Sequence, residues 1–107
     1  MKITDRFRQL TQLSEELFGQ FSSQPDGVRI DRAVDLLKKG QEELAEWSEL
    51  VGEIPQMRLE QKLSPVLLQV HSTLDRARVL YEDTGKAEEG ALIWSVEQQV
   101  YRLLNDL

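Results

Sequence analysis

The chain has 107 residues, of which 40% are hydrophobic and 30% charged, with a formal net charge of −6 and no cysteine. This length predicts one domain over residues 1–107, and the lack of cysteine excludes disulfides, thiolate metal sites and a cysteine nucleophile. The acidic balance argues against DNA or RNA as a partner, and the absence of a long apolar run or a signal-peptide core predicts a cytoplasmic protein that does not bind membranes.

Two helices are predicted in the first half of the chain. Apolar residues, Leu13 among them, recur with helical period over residues 3–21, and over residues 29–51 they also repeat every seven residues. Gln24-Pro25-Asp26-Gly27 separates the two as a turn. Gly40 lies inside the apolar stripe of the second helix, and we interpret it as room for a neighbouring helix or for Trp47.

The third helix, predicted over residues 55–83, leaves two alternatives open at Ser64-Pro65. In one, Ser64 caps a new helix that begins with Pro65. In the other, a single helix continues and kinks there, because proline removes one backbone hydrogen bond. The apolar residues before and after Pro65 lie on the same face of one helix, which favours the continuous, kinked helix.

The fourth helix is predicted over residues 86–107, with Leu92 among the apolar residues of its core stripe. Gly52 and Gly85 each follow a periodic segment, where a left-handed residue is expected to end a helix. Four amphipathic segments with short connections predict an all-α fold, an antiparallel up-down four-helix bundle.

The sequence offers little for catalysis or metal binding. His71 is the only histidine, and its nearest acidic neighbour along the helix is Asp75, four residues on. The residue three positions before His71 is Leu68, so the Glu-x-x-His pairs of di-iron bundles are excluded. We expect His71 to face solvent, and we predict no catalytic residue, no metal ligand and no cofactor.

An acidic ridge runs along the second predicted helix. Glu43-x-x-Glu46 resembles half of the metal-binding signature of the all-α nucleotide pyrophosphohydrolases (the MazG-like family). The second half of that signature, Glu-x-x-Asp on the next helix, is missing here. The resemblance would imply a Mg²⁺-dependent enzyme, whereas the alternative is a solvated helix face. The five carboxylates of the ridge are Glu42, Glu43, Glu46, Glu49 and Glu53.

Five apolar residues do not fit the core stripes. Three recur every eleven residues on the outer side of the third helix, and an aromatic pair flanks the core stripe of the fourth. Aromatic and methionine residues outside a core are typical of interfaces, although a kink or a bundle edge would also account for them. The candidate interaction surface consists of Met57, Leu68, Val79, Trp94 and Tyr101.

These patterns predict a non-enzymatic interaction module, an adaptor or chaperone-like bundle that binds a protein partner or a second copy of itself. Helix-in-groove recognition is the physical route that we expect, because the edge of a bundle can accept an amphipathic helix. The alternative is the Mg²⁺-dependent pyrophosphohydrolase-like enzyme, which would use the Glu43-x-x-Glu46 ridge.

Overall fold

The structure is a computed structural model that describes residues 2–107, and these residues form helices and turns with no strand. The observed helices lie within four residues of the predicted bounds. They are α1 (Ile3–Ser22), α2 (Asp31–Leu50), α3 (Leu59–Asp83) and α4 (Ala87–Asp106), with two short 3-10 turns at Val51–Glu53 and Gln56–Arg58.

The four helices form the predicted bundle. Helices that follow one another in the chain pack together, and α1 also packs against α4. This last interface is the smallest of the four between helices. The start of α1 meets the end of α4, where Arg6 Nη1 lies 2.8 Å from Asp106 Oδ2. This pair is what an antiparallel arrangement of the first and last helices requires.

Tyr81 ties three helices together at one end of the bundle. Its ring packs edge-on against Phe21, with 5.1 Å between the ring centroids. Its hydroxyl donates to Gln24 Oε1 at 2.8 Å and accepts a longer bond, 3.3 Å, from the backbone N–H of Ile30. The end of α3 is thereby fastened to the turn that joins α1 to α2.

Two of the predicted glycine turns are confirmed and one is wrong. Gly27 and Gly85 have φ angles of 93° and 79°, the left-handed region that favours glycine. Gly52 does not adopt this conformation, because the chain after α2 tightens into the 3-10 turn that contains it. Gly40 makes room for α3, since a Cβ there would lie 3.4 Å from Leu74 Cδ2.

Helix α3 continues through Pro65 without a break, so the alternative in which Ser64 begins a new helix is wrong. The predicted start near residue 55 is also wrong, and the helix begins at Leu59. Ile54 is extended, with ψ at 124°, because the residue before a proline avoids the helical region. The chain therefore turns once more, in 3-10 form, before α3 can start.

Two leucines expected in the core stripes lie at the surface instead. Leu13 of α1 and Leu92 of α4 are both exposed. Leu13 lies where α1 faces α4 across the smallest helix interface, and it lines a shallow groove there with Arg6, Gln9 and Leu103. The apolar stripe of one helix does not show how closely the neighbouring helix approaches. The prediction that these two leucines, at the edges of their stripes, lie in the core is therefore wrong.

None of the helices in residues 2–107 is both long and apolar enough to cross a membrane.

Candidate functional site

A row of charged side chains runs along the interface between α3 and α4. From α3 it contains His71, Asp75, Arg78 and Glu82, spaced three or four residues apart on one side of the helix, and from α4 it contains Glu97. We call these five residues the α3–α4 cluster. Such spacing keeps side chains on one helix face, which explains why α3 can present all four toward α4.

The antiparallel alignment of α3 and α4 brings Glu97 next to the charged residues of α3. A Cβ on Gly90 would lie 2.7 Å from Glu82 Cγ, so the first turn of α4 approaches the last turn of α3 closely. Further along, Trp94 lies over Arg78, with 5.3 Å between the guanidinium carbon and the ring centroid. Glu97 then falls opposite the middle of α3, between the levels of His71 and Arg78.

Glu97 is completely buried, with 0% of its surface exposed. It occupies a core position of α4, between the buried Val96 and Val100, and its carboxyl points toward α3. Its Oε1 lies 3.8 Å from His71 Nε2 and its Oε2 lies 3.4 Å from Arg78 Nε. Neither oxygen has a hydrogen-bond partner of satisfactory geometry within residues 2–107. A buried charge in this state would be costly, so the carboxyl is expected to hold its proton.

Arg78 directs its hydrogen bonds to the other two carboxylates of the cluster. Its Nε and Nη2 donate to Asp75 Oδ1 at 2.9 and 2.7 Å, and its Nη1 donates to Glu82. Two of these bonds converge on the single oxygen Oδ1 of Asp75, and each is strengthened because both partners are charged. Glu97 is therefore left with only a longer contact to the same guanidinium.

The protonation states of the two facing carboxyls differ. Burial, followed by the neighbouring carboxyl of Asp75, raises the pKa of Glu97 to about 8, although Arg78 acts in the opposite direction. Burial would also raise the pKa of Asp75, but the hydrogen bonds from Arg78 and from Glu97, together with the positive charge of Arg78, outweigh it and hold this pKa below its ordinary value. Near neutral pH, a protonated Glu97 can donate to an ionised Asp75, which satisfies the proton that Glu97 retains.

All five residues of the predicted interaction surface are exposed. The exposed fractions are 96% for Met57, 57% for Leu68, 38% for Val79, 46% for Trp94 and 51% for Tyr101. The structure brings three of them to the cluster: Trp94 covers Arg78, the ring of Tyr101 lies 6.2 Å from that of His71, and Leu68 is one helical turn before His71. We call Leu68, Trp94 and Tyr101 together the α3–α4 face.

The other two residues of the predicted surface lie elsewhere. Met57 is in the 3-10 turn that precedes α3. Val79 lines a shallow groove between α2 and α3, beside Arg32 and Leu36. The predicted surface therefore divides into an aromatic part next to the cluster and two separate apolar positions.

The acidic ridge of α2 lies at the surface. Glu42, Glu46, Glu49 and Glu53 are exposed and Glu43 is partly buried. Burial raises the pKa of Glu43, Lys39 opposes this effect, and the neighbouring Glu46 adds to it. No group of three or more acidic, histidine or cysteine side chains within residues 2–107 is arranged to hold a metal ion.

His71 and Glu97 are the residues that sequence reasoning placed wrongly or missed. His71 is not simply solvent-facing, since its side chain is 31% exposed and its Nε2 faces Glu97. Glu97 belongs to none of the predicted sites, although it stands one position after Val96 and three before Val100 in the core stripe. An acidic residue in phase with a core stripe was the available signal for a buried polar group.

The chain matches no protein-family model, no curated protein and no solved structure in comparisons with known proteins. A function cannot be carried over from a relative. The chemistry and exposure of the α3–α4 face and cluster are therefore the basis for the function proposed below.

Proposed function

We propose that this protein is a non-enzymatic adaptor that binds a helix of a partner protein on the α3–α4 face. The observation that supports this proposal is the exposure of Trp94 and Tyr101 by about half, two turns apart on one helix beside the α3–α4 cluster. Tryptophan and tyrosine are enriched among the residues that dominate binding energy at interfaces. We also propose a cytoplasmic location, with which the absence of cysteine is consistent.

The geometry suits a helix as the bound element. Trp94 and Tyr101 lie along α4, and Leu68 lies on α3 across the interface between the two helices. A partner helix that follows this interface can contact all three. An amphipathic helix would present residues at i, i+3, i+4 and i+7 to such a surface. The charged residues of the cluster supply the polar contacts that fix its register.

Site-specific photocross-linking in the native cell tests this function. A benzophenone amino acid at position 101 should yield one discrete cross-linked product, and the Trp94→Ala substitution should reduce its amount. The same amino acid at the exposed position 42 of α2 is the matched control. A product containing two copies of this chain would identify self-association, which sedimentation at micromolar concentration would then measure. If position 101 gives no product beyond the control, the proposed function is wrong.

A further inference from the structure

Resting on the helix-binding function proposed above, we propose that the partner helix carries a lysine or arginine side chain that enters beside Tyr101 and pairs with the carboxyl groups of Glu97 and Asp75. The partner is thus a cationic amphipathic helix. The inference depends on three features of the structure: a buried carboxyl without a donor, an excess of carboxyls over cations, and aromatic side chains that flank the carboxyl.

The carboxyl of Glu97 is the first of these features. It is completely buried and no group within residues 2–107 donates a well-formed hydrogen bond to either oxygen. Buried polar atoms are normally satisfied, and even when one oxygen of Glu97 donates its proton to Asp75, the other oxygen has no partner. A cationic side chain supplies several N–H donors and a compensating charge, which is what this carboxyl needs in order to ionise.

The excess of carboxyls is the second feature. The cluster contains three carboxyl groups, those of Asp75, Glu82 and Glu97, around the single guanidinium of Arg78. Arg78 forms its hydrogen bonds with the first two. A second cation would therefore complete the pairing without competing with Arg78 for Asp75 Oδ1.

The aromatic side chains are the third feature. Trp94 and Tyr101 stand one turn before and one turn after Glu97 on α4, and both are about half exposed. Trp94 already holds the Arg78 guanidinium over its ring, which is the geometry of a cation–π contact. Tyr101 offers a second ring on the other side of the carboxyl. His71, partly exposed with Nε2 3.8 Å from Glu97 Oε1, is the group that an entering cation would displace.

Charge argues against a second copy as the occupant. In a two-fold dimer the same patch of both copies meets, so each acidic cluster would approach another acidic cluster. The net charge of −6 per chain adds repulsion at longer range. A basic helix experiences attraction in both respects.

Ionisation of Glu97 is coupled to this binding. The charged and titratable groups that face Glu97 come from α3, and they are His71, Asp75, Arg78 and Glu82. In the free protein Glu97 is largely protonated near neutral pH, because its pKa is raised to about 8. A cation that pairs with Glu97 favours the ionised form, so binding releases a proton.

A display library of helical peptides tests the inference. All members carry aliphatic residues at i, i+3 and i+7, and position i+4 is randomised over all residue types. The library is selected against the wild-type protein, the Glu97→Gln variant and the Glu46→Gln variant, which removes the same charge from the exposed ridge. We expect lysine and arginine to be enriched on the wild type and on Glu46→Gln, and the enrichment to be lost on Glu97→Gln.

The best lysine peptide and its norleucine counterpart then give affinities. We expect about tenfold tighter binding of the lysine peptide to the wild type, which corresponds to about 1.4 kcal/mol. This preference should grow as the pH rises toward 8 and stay constant for Glu97→Gln.

Aliphatic or acidic enrichment on the wild type would overturn the inference and leave the helix-binding function standing. Cationic enrichment that persists on Glu97→Gln would also overturn it. Selection of no residue type, with no peptide bound above background, would contradict the helix-binding function itself.

Discussion

Replacing Glu97 by glutamine should stabilise the protein, and more strongly as the pH rises. The folded state raises the pKa of Glu97 from an ordinary value of 4.5 to about 8, chiefly through burial. The folded protein therefore binds more protons than the unfolded chain between these values, and its stability falls as the pH rises through that interval. Glutamine keeps the shape and the donor toward Asp75 but carries no titrating group.

The magnitude follows from the size of the pKa change. At 1.36 kcal/mol per pH unit, the interval from 4.5 to about 8 sets an upper limit of about 5 kcal/mol for the alkaline destabilisation. Near neutral pH the wild type should already have lost up to about 3 kcal/mol of this total. We therefore expect Glu97→Gln to be nearly neutral at about pH 5 and to gain on the order of 1–3 kcal/mol at about pH 7.

Urea unfolding followed by far-UV circular dichroism measures these free energies at about pH 5, pH 7 and pH 9. The Glu46→Gln variant is the control, because it removes one acidic charge from the exposed face of α2. Its stability should follow the wild-type pH dependence. The reasoning would be refuted if wild type and Glu97→Gln lost stability in parallel between about pH 5 and pH 9, or if Glu97→Gln were less stable at every pH.

Leu74→Ala should lower the free energy of unfolding by about 2–5 kcal/mol, because Leu74 is fully buried. Leu68→Ala should lower it by less than about 1 kcal/mol in the monomer, because Leu68 is exposed. Equal losses in urea unfolding would contradict the assigned faces of α3. Tyr81→Phe removes the hydroxyl that donates to Gln24 and should cost about 1–2 kcal/mol in the same assay, and an unchanged midpoint would show that this bond contributes nothing. Millimolar Mg²⁺ or Mn²⁺ should leave the melting temperature unchanged, and a rise that Glu46→Gln abolishes would support the alternative of a metal-dependent enzyme.

The helices could be predicted because their local signals agree with their packing. Apolar residues recur with the period of a helix, and the turns are marked by Pro25, Gly27 and Gly85, so three of the four helices lie within two residues of their expected bounds at both ends. The intact apolar phase at Pro65 favoured a single helix, and the structure has one, although the same phase would also fit two collinear helices. The start of α3 was missed because the proline at position 55 extends the residue before it.

The exposure of Leu68, Trp94 and Tyr101 could be predicted, but the cluster beneath them could not. Placing Glu97 required the register of α4 against α3, which brings its carboxyl to His71 and Arg78. That register depends on the close approach at Gly90 and on the turn at Gly85. The apolar stripe of a single helix shows neither how two helices are aligned nor how closely they approach.

The small interface between α1 and α4 has a consequence for how the molecule opens. A helix pair with few buried contacts exchanges its amide hydrogens through local opening at less than the global free energy. On this side α1 contacts α4 through the Arg6–Asp106 pair, and a shallow groove separates part of the two helices. Helix α3, in contrast, packs extensively against both α2 and α4. Sub-global opening should therefore separate α1 from α4 first and leave the α3–α4 hairpin intact. A partner bound to that hairpin would then neither require nor prevent the opening.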